Sequence, residues 1–309
     1  MTDRPGRLML LDSASMYFRA FYGVPEIKAP DGTPVNAVRG LLDFIARLVG
    51  DYRPTHLVAC WDNDWRPQWR VDLLPSYKAH RVEAERTGEP DVEEVPHPLE
   101  VQVPIIREVL EAFGICVLGA DGYEADDVIG SLAAQARQPV DVVTGDRDLF
   151  QLVDDDADVR VLYIARGVGN HERVTNDWVR AKYGVDARQY ADFATLRGDA
   201  SDGLPGVAGV GEKTAATLLG RFGDIDGIVA AALDPGSDLA PGPRGKIKGA
   251  ADYLAVAPEV VAVARDLELD TSGTLLPAEP RDLPRVAELA HRWGLESPVQ
   301  RLTSVLVGG

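Results

Sequence analysis

The sequence predicts an α/β fold in which buried parallel strands alternate with helices, followed by a helical module. Three short apolar runs, within residues 8–11, 56–61 and 140–145, lead directly to Asp12, Asp62 and Asp146. Short apolar runs bounded by turn or helix signals are typical of buried strands in a parallel sheet. From about residue 176 the pattern is helical to the end. We therefore expect an α/β core at residues 1–175 and a helical module at 176–309.

The first half of the chain supplies the remaining elements in order. A helix is expected after Asp12, beginning at Ser13 or Ser15, and a second at about Asn36–Gly50, where apolar residues recur at helical spacing. The elements that follow are strand 57–61, helix 99–113, strand 115–118, helix 123–136, strand 140–143 and an apolar run at 159–164. Glycine- and proline-rich breaks at 198–211 and 234–245 interrupt the helical second half.

The segment from Asn63 to about Pro98 interrupts the alternation. It is charged, contains Trp65 and Trp69, and includes an acidic run at residues 89–94. Long insertions inside compact domains are usually functional lids or disordered. The pattern alone leaves both interpretations open, a functional lid and a mobile surface loop.

The bulk composition is that of an ordinary globular chain. With 309 residues, of which 45% are hydrophobic, it has room for two domains and a sizeable core. It contains no run of 18 apolar residues that would indicate a membrane span, and the N-terminus lacks the apolar core of a secretory signal. Cys60 and Cys116 lie in or beside apolar runs, so we expect reduced core thiols in a cytoplasmic protein.

The net charge of −17, taken alone, argues against binding to nucleic acid. The positions of the basic residues matter more than the sum. Four of the six lysines, Lys78, Lys213, Lys246 and Lys248, lie in segments that we assign below to DNA contact.

The strand-end aspartates indicate a metal site. Open α/β sheets bind ligands in the crevice outside the carboxyl ends of their strands, so these carboxylates should meet there. Clustered carboxylates repel one another and shift toward protonation unless a cation lies among them. Ligands that are all oxygen favour magnesium or manganese. Neighbouring acids extend the candidate set to Glu124, Asp126, Asp127, Asp148, Asp199 and Asp202.

The added acids also have simpler explanations. Glu124 and Asp127 share a helix face, but acids in a first turn also suit the positive end of the helix dipole. Asp148 follows Asp146 in a Thr-Gly-Asp-Arg-Asp sequence, which is also the composition of a surface turn. A surface turn explains one such acidic segment well, but it explains poorly why three strands each end on an aspartate. Neither His56 nor His80 has partners at zinc spacing.

A site of this composition suits phosphodiester hydrolysis. Two divalent ions about 3.5–4 Å apart can clamp the attacking and leaving oxygens of a phosphodiester in line. One ion activates water and the other stabilises the leaving oxyanion, so that no His, Cys or Ser triad is required.

The glycine-rich segment at 206–215 predicts a helix–hairpin–helix, at about residues 198–222. A nucleotide-binding loop needs a glycine, then any four residues, then Gly-Lys-Thr. Here Glu212 separates Gly211 from Lys213, so the pattern is broken. Gly209 and Gly211 permit a tight turn, and the helix that follows, with Lys213 and Thr214, offers amide groups to a DNA phosphate. Such a contact positions the duplex without reading its sequence. A plain helix connection is the alternative.

These motifs together resemble the flap endonuclease/5′-nuclease family, in particular the 5′-nuclease domain of bacterial DNA polymerase I. The resemblance covers about residues 8–265. It rests on the order of Leu11-Asp12, Pro34–Val38, Asp62, Tyr77–Arg81, Glu124–Asp127, Thr144–Asp148, Gly198–Val207 and Gly209–Ala215.

The resemblance implies a structure-specific nuclease acting at DNA flaps, nicks and 5′ ends. Its expected fold is a central mixed, mostly parallel sheet flanked by helices (PIN-like), with a helical arch at about 63–98 that a 5′ flap threads, and a helix–three-turn–helix module. The metal-binding acids would be Asp12, Asp62, Glu124, Asp126, Asp127, Asp146, Asp148, Asp199 and Asp202.

The resemblance also implies roles for basic, aromatic and hairpin residues. Lys78 and Arg81 would be the basic pair beside the scissile phosphate, and Arg19 and Tyr22 would help to hold unpaired nucleotides, whose bases can stack on aromatic rings. A potassium ion would bind backbone carbonyls of the hairpin, at Val207 and Val210. We expect a monomeric, free-standing relative in the bacterial cytoplasm at the nucleoid, with replication or repair proteins as possible partners.

The chain departs from the polymerase-domain pattern at two positions. Ser13 follows Asp12 where glycine is frequent, and Asn63 follows Asp62 where alanine is common; neither change removes a ligand. Competing functions are a DNA-binding protein without turnover, a ribonuclease, and an aspartyl phosphatase. All nine acids are present, the hairpin favours a duplex-DNA binder, and Ala14 stands where the phosphatase would need an acid. The sequence therefore predicts a metal-dependent 5′-3′ exonuclease and flap endonuclease.

Overall fold

A computed structural model describes residues 6–84 and 91–308. Within these residues, eight strands form two sheets. They are β1 (Leu8–Asp12), β2 (His56–Cys60), β3 (Val82–Ala84), β4 (Val92–Glu93), β5 (Cys116–Leu118), β6 (Val140–Thr144), β7 (Val159–Tyr163) and β8 (Glu172–Val174). The larger sheet has the order β5-β2-β1-β6-β7-β8. All its pairings are parallel except β7–β8, so it is mixed and mostly parallel.

The sheet is covered on both faces, which explains why its strands are continuously apolar. Alternate side chains of β1 point to opposite sides, so Leu8 and Leu10 belong to one core cluster and Met9 and Leu11 to the other. All five β1 residues are buried. The parallel register places Asp12 beside Cys60, two residues before Asp62, so two of the strand-end acids lie at the same edge.

The helices of the first half largely follow the expected pattern. They are α1 (Ser13–Gly23), α2 (Asn36–Tyr52), α3 (Gln68–Leu73), α4 (His97–Glu100), α5 (Val103–Phe113) and α6 (Ala125–Gln135). The helix expected at 99–113 is divided in two, and Gln102 lies between the parts. Its side-chain carbonyl accepts the Ala37 amide (2.8 Å), which secures the first turn of α2.

The second half is helical, as predicted. Its helices are α7 (Asn176–Tyr183), α8 (Tyr190–Arg197), α9 (Glu212–Phe222), α10 (Ile225–Leu233), α11 (Pro241–Gly249), α12 (Ala251–Leu254), α13 (Ala257–Val261), α14 (Leu283–Trp293) and α15 (Glu296–Val307). In the described ranges, no helix is long and apolar enough to cross a lipid bilayer.

The last two helices return to the α/β core. Leu289 and Trp293 of α14 and Leu302 of α15 join the apolar cluster formed by α2 and α5. Arg301 of α15 also pairs with Asp43 of α2 (2.7 Å). The chain after about residue 266 therefore supports the core, whereas the sequence assigned all of 176–309 to one module.

The arch segment differs from the helical arch that the resemblance implies. Its described parts contain the six-residue α3, a 3₁₀ turn at Ala79–Arg81 and the antiparallel ribbon β3–β4. The acidic run at 89–94 lies partly outside the described residues. Asp91 is bound to the start of the segment, because Arg66 pairs with its carboxylate (2.5 Å) and Trp65 Nε1 donates to its carbonyl (2.7 Å).

Candidate active site

A pocket of about 390 Å³ opens at the carboxyl edge of the sheet. Eight of the predicted catalytic and metal-binding residues line it: Asp12, Asp62, Lys78, Arg81, Glu124, Asp126, Asp146 and Asp199. They come from strand ends, the arch segment, the first turn of α6 and the loop after α8. The fold therefore brings together groups that are up to 187 residues apart in sequence.

Asp12 occupies the junction between β1 and α1. One carboxylate oxygen accepts the Ser15 amide (3.0 Å) and so caps α1, while the other accepts the Thr144 hydroxyl (2.6 Å). The pKa of Asp12 is raised to about 7. Burial is the main cause and the charges of Asp62 and Asp146 add to it, while these two hydrogen bonds act in the opposite direction. A buried carboxyl with such a pKa is strained as an anion, and a bound cation would relieve that strain.

The start of α6 carries the next acids. Asp62 accepts the Ala125 amide (2.7 Å) and so binds the positive end of this helix. Burial raises the pKa of Asp126, as do the charges of Asp12, Asp146 and Glu124. Burial likewise raises the pKa of Asp62. The pocket therefore concentrates negative charge in a region that water reaches poorly.

Asp127 requires a correction, because its carboxylate serves the fold and does not line the pocket. It is fully buried and accepts both terminal nitrogens of Arg70 (2.7 and 2.8 Å), the Ala264 amide (2.9 Å) and the Glu124 amide (3.2 Å). These four bonds satisfy both oxygens. We therefore remove Asp127 from the proposed ligand set.

Arg70 is the cation that makes this arrangement possible. Besides Asp127, it binds Glu124 (2.6 Å) and donates to the carbonyls of Val260 (3.0 Å) and Ala262 (3.3 Å). Its guanidinium also lies 4.5 Å from the centre of the Trp69 ring. One buried side chain thus joins the arch segment, α6 and the end of α13.

Asp146 and Asp148 lie on the turn after β6. The Asp146 amide binds the Thr144 hydroxyl (2.8 Å), and the Asp146 carboxylate accepts the Asp148 amide (2.8 Å). Burial raises the pKa of Asp148, as do the charges of Asp146, Asp202 and Asp199. Asp148 Oδ1 is buried without a hydrogen-bond partner among the described residues. Asp148 does not itself line the pocket, but Asp146, two residues before it, does. A buried carboxylate oxygen without a partner at this position suits a cation.

The loop after α8 carries Asp199, which lines the pocket, and Asp202, which does not line it but pairs with the pocket-lining Arg81. Burial works to raise the pKa of Asp199, but hydrogen bonds from Ser201 and the charges of Arg197 and Arg147 outweigh it, so this pKa is lowered. Burial raises the pKa of Asp202. The two acids of one loop therefore lie in different electrostatic environments.

Lys78 and Arg81 bring positive charge from the arch segment. The Lys78 ammonium binds the Glu124 carboxylate, and Arg81 binds Asp202 (3.0 Å). Although burial works to lower the pKa of Lys78, the combined effect of Glu124, Tyr77 and Asp202 outweighs it and the pKa is raised. Both side chains therefore face the pocket as cations held by acids of the candidate ligand set.

The donor set suits divalent ions by its chemistry, since its ligands are oxygens from several buried carboxylates. In the described part of the chain, however, no group of three or more such side chains is already arranged to hold an ion. Glu124 is paired with Lys78, and one oxygen of Asp146 accepts the Asp148 amide.

Several residues of the pocket were not predicted. Ser15, Phe18, Trp65, Glu93, Arg147 and Ser201 also line it. Arg147 and Ser201 lie within acidic motifs that the sequence had singled out. Glu93 belongs to the acidic run at 89–94, but the sequence did not indicate the pairing of β3 with β4 that brings it to the pocket.

Two residues predicted to hold unpaired nucleotides lie in an adjoining cavity. Arg19 and Tyr22 line a space of about 850 Å³ that shares Ser15 and Phe18 with the first pocket. Tyr22 is 72% exposed, and Arg19 Nη1 donates to the Ala165 carbonyl (2.9 Å). The cavity therefore offers an exposed aromatic ring and a guanidinium next to the acids.

A turn lies before α9, in the segment where the sequence predicts the hairpin. Gly209 has a left-handed φ of 74°, and the Val210 amide bonds the Val207 carbonyl (2.9 Å). Gly211 precedes the helix, and its carbonyl accepts the amides of Thr214 and Ala215 (both 3.0 Å), while Lys213 is exposed in the first turn.

A lysine of α11 lies against this turn. Both Lys246 and Lys248 are exposed on this helix. Lys246 Nζ donates to the Gly209 carbonyl (2.7 Å). The Lys246 ammonium thus stands where a monovalent cation could bind a hairpin carbonyl.

Two family models match the chain. The model described as 5′-3′ exonuclease, N-terminal resolvase-like domain, matches residues 7–184. The model described as 5′-3′ exonuclease, C-terminal SAM fold, matches residues 185–283. Together they span the sheet, the arch segment and helices α7–α13.

Curated relatives and solved structures agree with these matches. The 5′-3′ exonuclease of Streptomyces coelicolor is 62% identical over 96% of this chain and 99% of its own length. The DNA polymerase I of Mycobacterium bovis is 40% identical over 91% of this chain but only 30% of its own length. The D15 flap endonuclease of bacteriophage T5, solved as a pseudo-enzyme–product complex with DNA and metal ions, has a TM-score of 0.66 at 18% identity, covering 97% of this chain and 99% of that chain. The last likeness confirms the predicted fold class.

The Arg70 contacts generate a stability prediction. Arg70→Met leaves Glu124 and Asp127 as buried carboxylates without their cation, so we expect the free energy of unfolding to fall by about 3–5 kcal/mol. Urea denaturation followed by circular dichroism measures it. The matched control, Arg107→Met, breaks an exposed pair with Glu111 and should cost less than about 0.5 kcal/mol. Equal losses in the two variants would contradict a special role for Arg70.

Proposed function

The chain belongs to the 5′-3′ exonuclease family, and on this premise we propose that it is a metal-dependent nuclease that cleaves DNA at 5′ ends and 5′ flaps. The observation that carries the proposal is the convergence of acids from both halves of the chain on one pocket. Asp148, two residues from the pocket-lining Asp146, has a buried Oδ1 that is unpartnered in the described part of the chain. The product would be a 5′-phosphate, formed by attack of water on the phosphodiester.

We propose that eight acids hold the divalent ions, magnesium or manganese, in a site for at least two. They are Asp12, Asp62, Glu124, Asp126, Asp146, Asp148, Asp199 and Asp202. When bound, the ions supply the positive charge that activates water and stabilises the leaving oxygen. The protein holds the acids in place through backbone amides, such as those of Ser15 on Asp12 and Ala125 on Asp62.

Lys78 and Arg81 would act on the phosphate itself. Both cations line the pocket and are held by acids of the proposed ligand set. The Lys78 ammonium and the Arg81 guanidinium would donate to phosphate oxygens of a substrate in the pocket. Positive groups placed in advance around a phosphate stabilise the charge that develops in the transition state.

The remaining contacts would position the DNA. Arg19 and Tyr22 lie in the cavity next to the acids, where Tyr22 could stack on an unpaired base. Lys213, Thr214 and the glycines of the hairpin would bind a phosphate of the duplex, with Lys246 and Lys248 nearby. We propose that a potassium ion can bind the Val207 and Val210 carbonyls, since the neighbouring Gly209 carbonyl already accepts an ammonium group.

We propose that the protein works as a monomer in the bacterial cytoplasm, at the nucleoid, together with proteins of DNA replication or repair. Phosphate contacts imply that binding weakens steeply with added salt. Measuring DNA binding at increasing salt concentration therefore tests the proposed phosphate contacts.

Loss of Asp148 should abolish cleavage. Asp148→Asn keeps the shape of the side chain but removes a proposed carboxylate ligand beside the pocket, so we expect cleavage of an end-labelled 5′-flap duplex to fall by at least about 10³-fold. The assay compares magnesium, manganese and chelator. The matched control is Asp156→Asn, an exposed aspartate in the turn before β7, which should cleave normally. If the wild type binds the flap tightly but does not cut it with any metal, the nuclease proposal is contradicted and a DNA-binding protein is supported.

Metal binding should depend on pH in a defined direction. The folded protein holds the Asp12 proton up to a pKa of about 7, whereas the unfolded chain loses it near 3.8. Between these values the folded state binds more protons, so the stability contributed by Asp12 falls as pH rises. We expect manganese to raise Tm more at about pH 7.5 than at about pH 5.5, where ions must displace protons.

Calorimetric scans with manganese and with EDTA measure this difference. Asp12→Asn should reduce the pH dependence of the metal-free protein. Equal metal-induced shifts at both pH values in the wild type would contradict the proposed link between burial of the acids and metal binding.

The hairpin contact should matter for duplex affinity. Lys246→Ala removes both a charge and the bond to the Gly209 carbonyl, so we expect duplex Kd to rise about tenfold. Lys248→Ala, the matched control on the same helix, removes a charge without that bond and should raise Kd about two- to threefold. Fluorescence anisotropy in chelator measures both, and exchange of KCl for NaCl tests the potassium site. Equal increases in Kd for the two variants would show that the Lys246 bond to the hairpin does not contribute to duplex affinity.

A further inference from the structure

Lys78 has an unusual backbone conformation for a residue with a side chain. Its φ and ψ are 48° and 18°, in the left-handed region. In the described residues it shares positive φ with only two other non-glycine residues, Arg53 and Asp158. Such conformations persist when the surrounding structure imposes them, and they are frequent at functional sites.

The loop that carries Asp199 and Asp202 holds Lys78 in this conformation. The Lys78 amide donates to the Asp202 carbonyl (3.0 Å), and the Ser76 hydroxyl donates to the Gly203 carbonyl (2.8 Å). Further along, Arg81 Nη2 donates to the Ser201 carbonyl (2.6 Å). Three residues of the arch segment are therefore bound, through one backbone stretch, to the loop that supplies two of the acids.

Close approach of the two segments depends on Gly203. This residue ends the 3₁₀ turn Ala200–Asp202 with φ 70°, which favours glycine. Space is limiting as well, because a Cβ at position 203 would lie far inside van der Waals distance of the Ser76 carbonyl oxygen. That oxygen is backbone and cannot rotate away as a side chain would, and it also accepts the Ala79 amide (3.2 Å).

We propose that Gly203 is a positioning residue for Lys78. By leaving room for the Ser76 carbonyl, it lets the arch segment pack on the acidic loop, which holds the Lys78 amide on Asp202 and directs the Lys78 ammonium into the pocket. The cationic and acidic halves of the site are thereby assembled as one unit. The kinetic part of this inference rests on the proposed nuclease function, whereas the packing does not.

The chain offers a matched control for the cost of the left-handed conformation alone. Gly32 has φ 92°, but nothing lies within 4 Å of where its Cβ would be. Gly203→Ala and Gly32→Ala therefore introduce similar backbone strain, and only Gly203→Ala also introduces a clash. A milder variant, Ser76→Ala, removes the hydroxyl bond to Gly203 without adding any atom.

Hydrogen exchange tests the packing without reference to activity. We expect the Lys78 amide to exchange at least about tenfold faster in Gly203→Ala than in wild type or Gly32→Ala, because its acceptor is displaced. Ser76→Ala should show a smaller change in the same direction. Unchanged exchange at Lys78 in a folded Gly203→Ala variant would overturn the inference. If Gly203→Ala does not fold, unchanged exchange in Ser76→Ala overturns it.

A double-mutant cycle tests the link to Lys78. On a 5′-flap duplex, Gly203→Ala should lower kcat about 10²-fold with little change in KM, and Gly32→Ala should leave both unchanged. In a Lys78→Ala background, Gly203→Ala should cause almost no further loss. Additive losses would overturn the positioning role. An inactive wild type combined with the expected exchange pattern would count against the nuclease proposal but support the packing.

Discussion

Repulsion among buried carboxylates is the constraint on which the structure of this site depends. Burial raises the pKa of Asp12, Asp126 and Asp148, and neighbouring acids raise each of them further. The fold tolerates this arrangement because helix-terminal amides and buried cations stabilise part of the charge. The remaining imbalance is what makes the pocket suitable for divalent ions.

Arg70 shows how that stabilisation also builds the tertiary structure. It pairs with Glu124 and Asp127 and bonds carbonyls on either side of Val261. A buried cation that satisfies two carboxylates and two carbonyls can join distant segments because each bond replaces one that water would otherwise make. The side chain that lowers the cost of the acids therefore also fixes the arch segment against α6.

The helical module contributes to the candidate active site and is also a candidate DNA-binding surface. Its loop after α8 provides Asp199 and Asp202 and at the same time binds the backbone around Lys78. The hairpin that follows lies directly after this loop, at residues 206–211. Because only a few residues separate the hairpin from this loop, a duplex bound to the hairpin would lie close to the acids and cations proposed to act on its phosphate.

The sequence by itself determined the strand-end acids, the helical second half and the hairpin, because burial, helical periodicity and turn chemistry are local properties of the chain. It also determined the family, through motifs in a fixed order. Only the tertiary structure decided that Asp127 pairs with Arg70, that Glu93 enters the pocket, that the arch segment forms a ribbon, and that Lys246 reaches Gly209. Each depends on which distant segments come into contact, and local patterns contain no record of the partner.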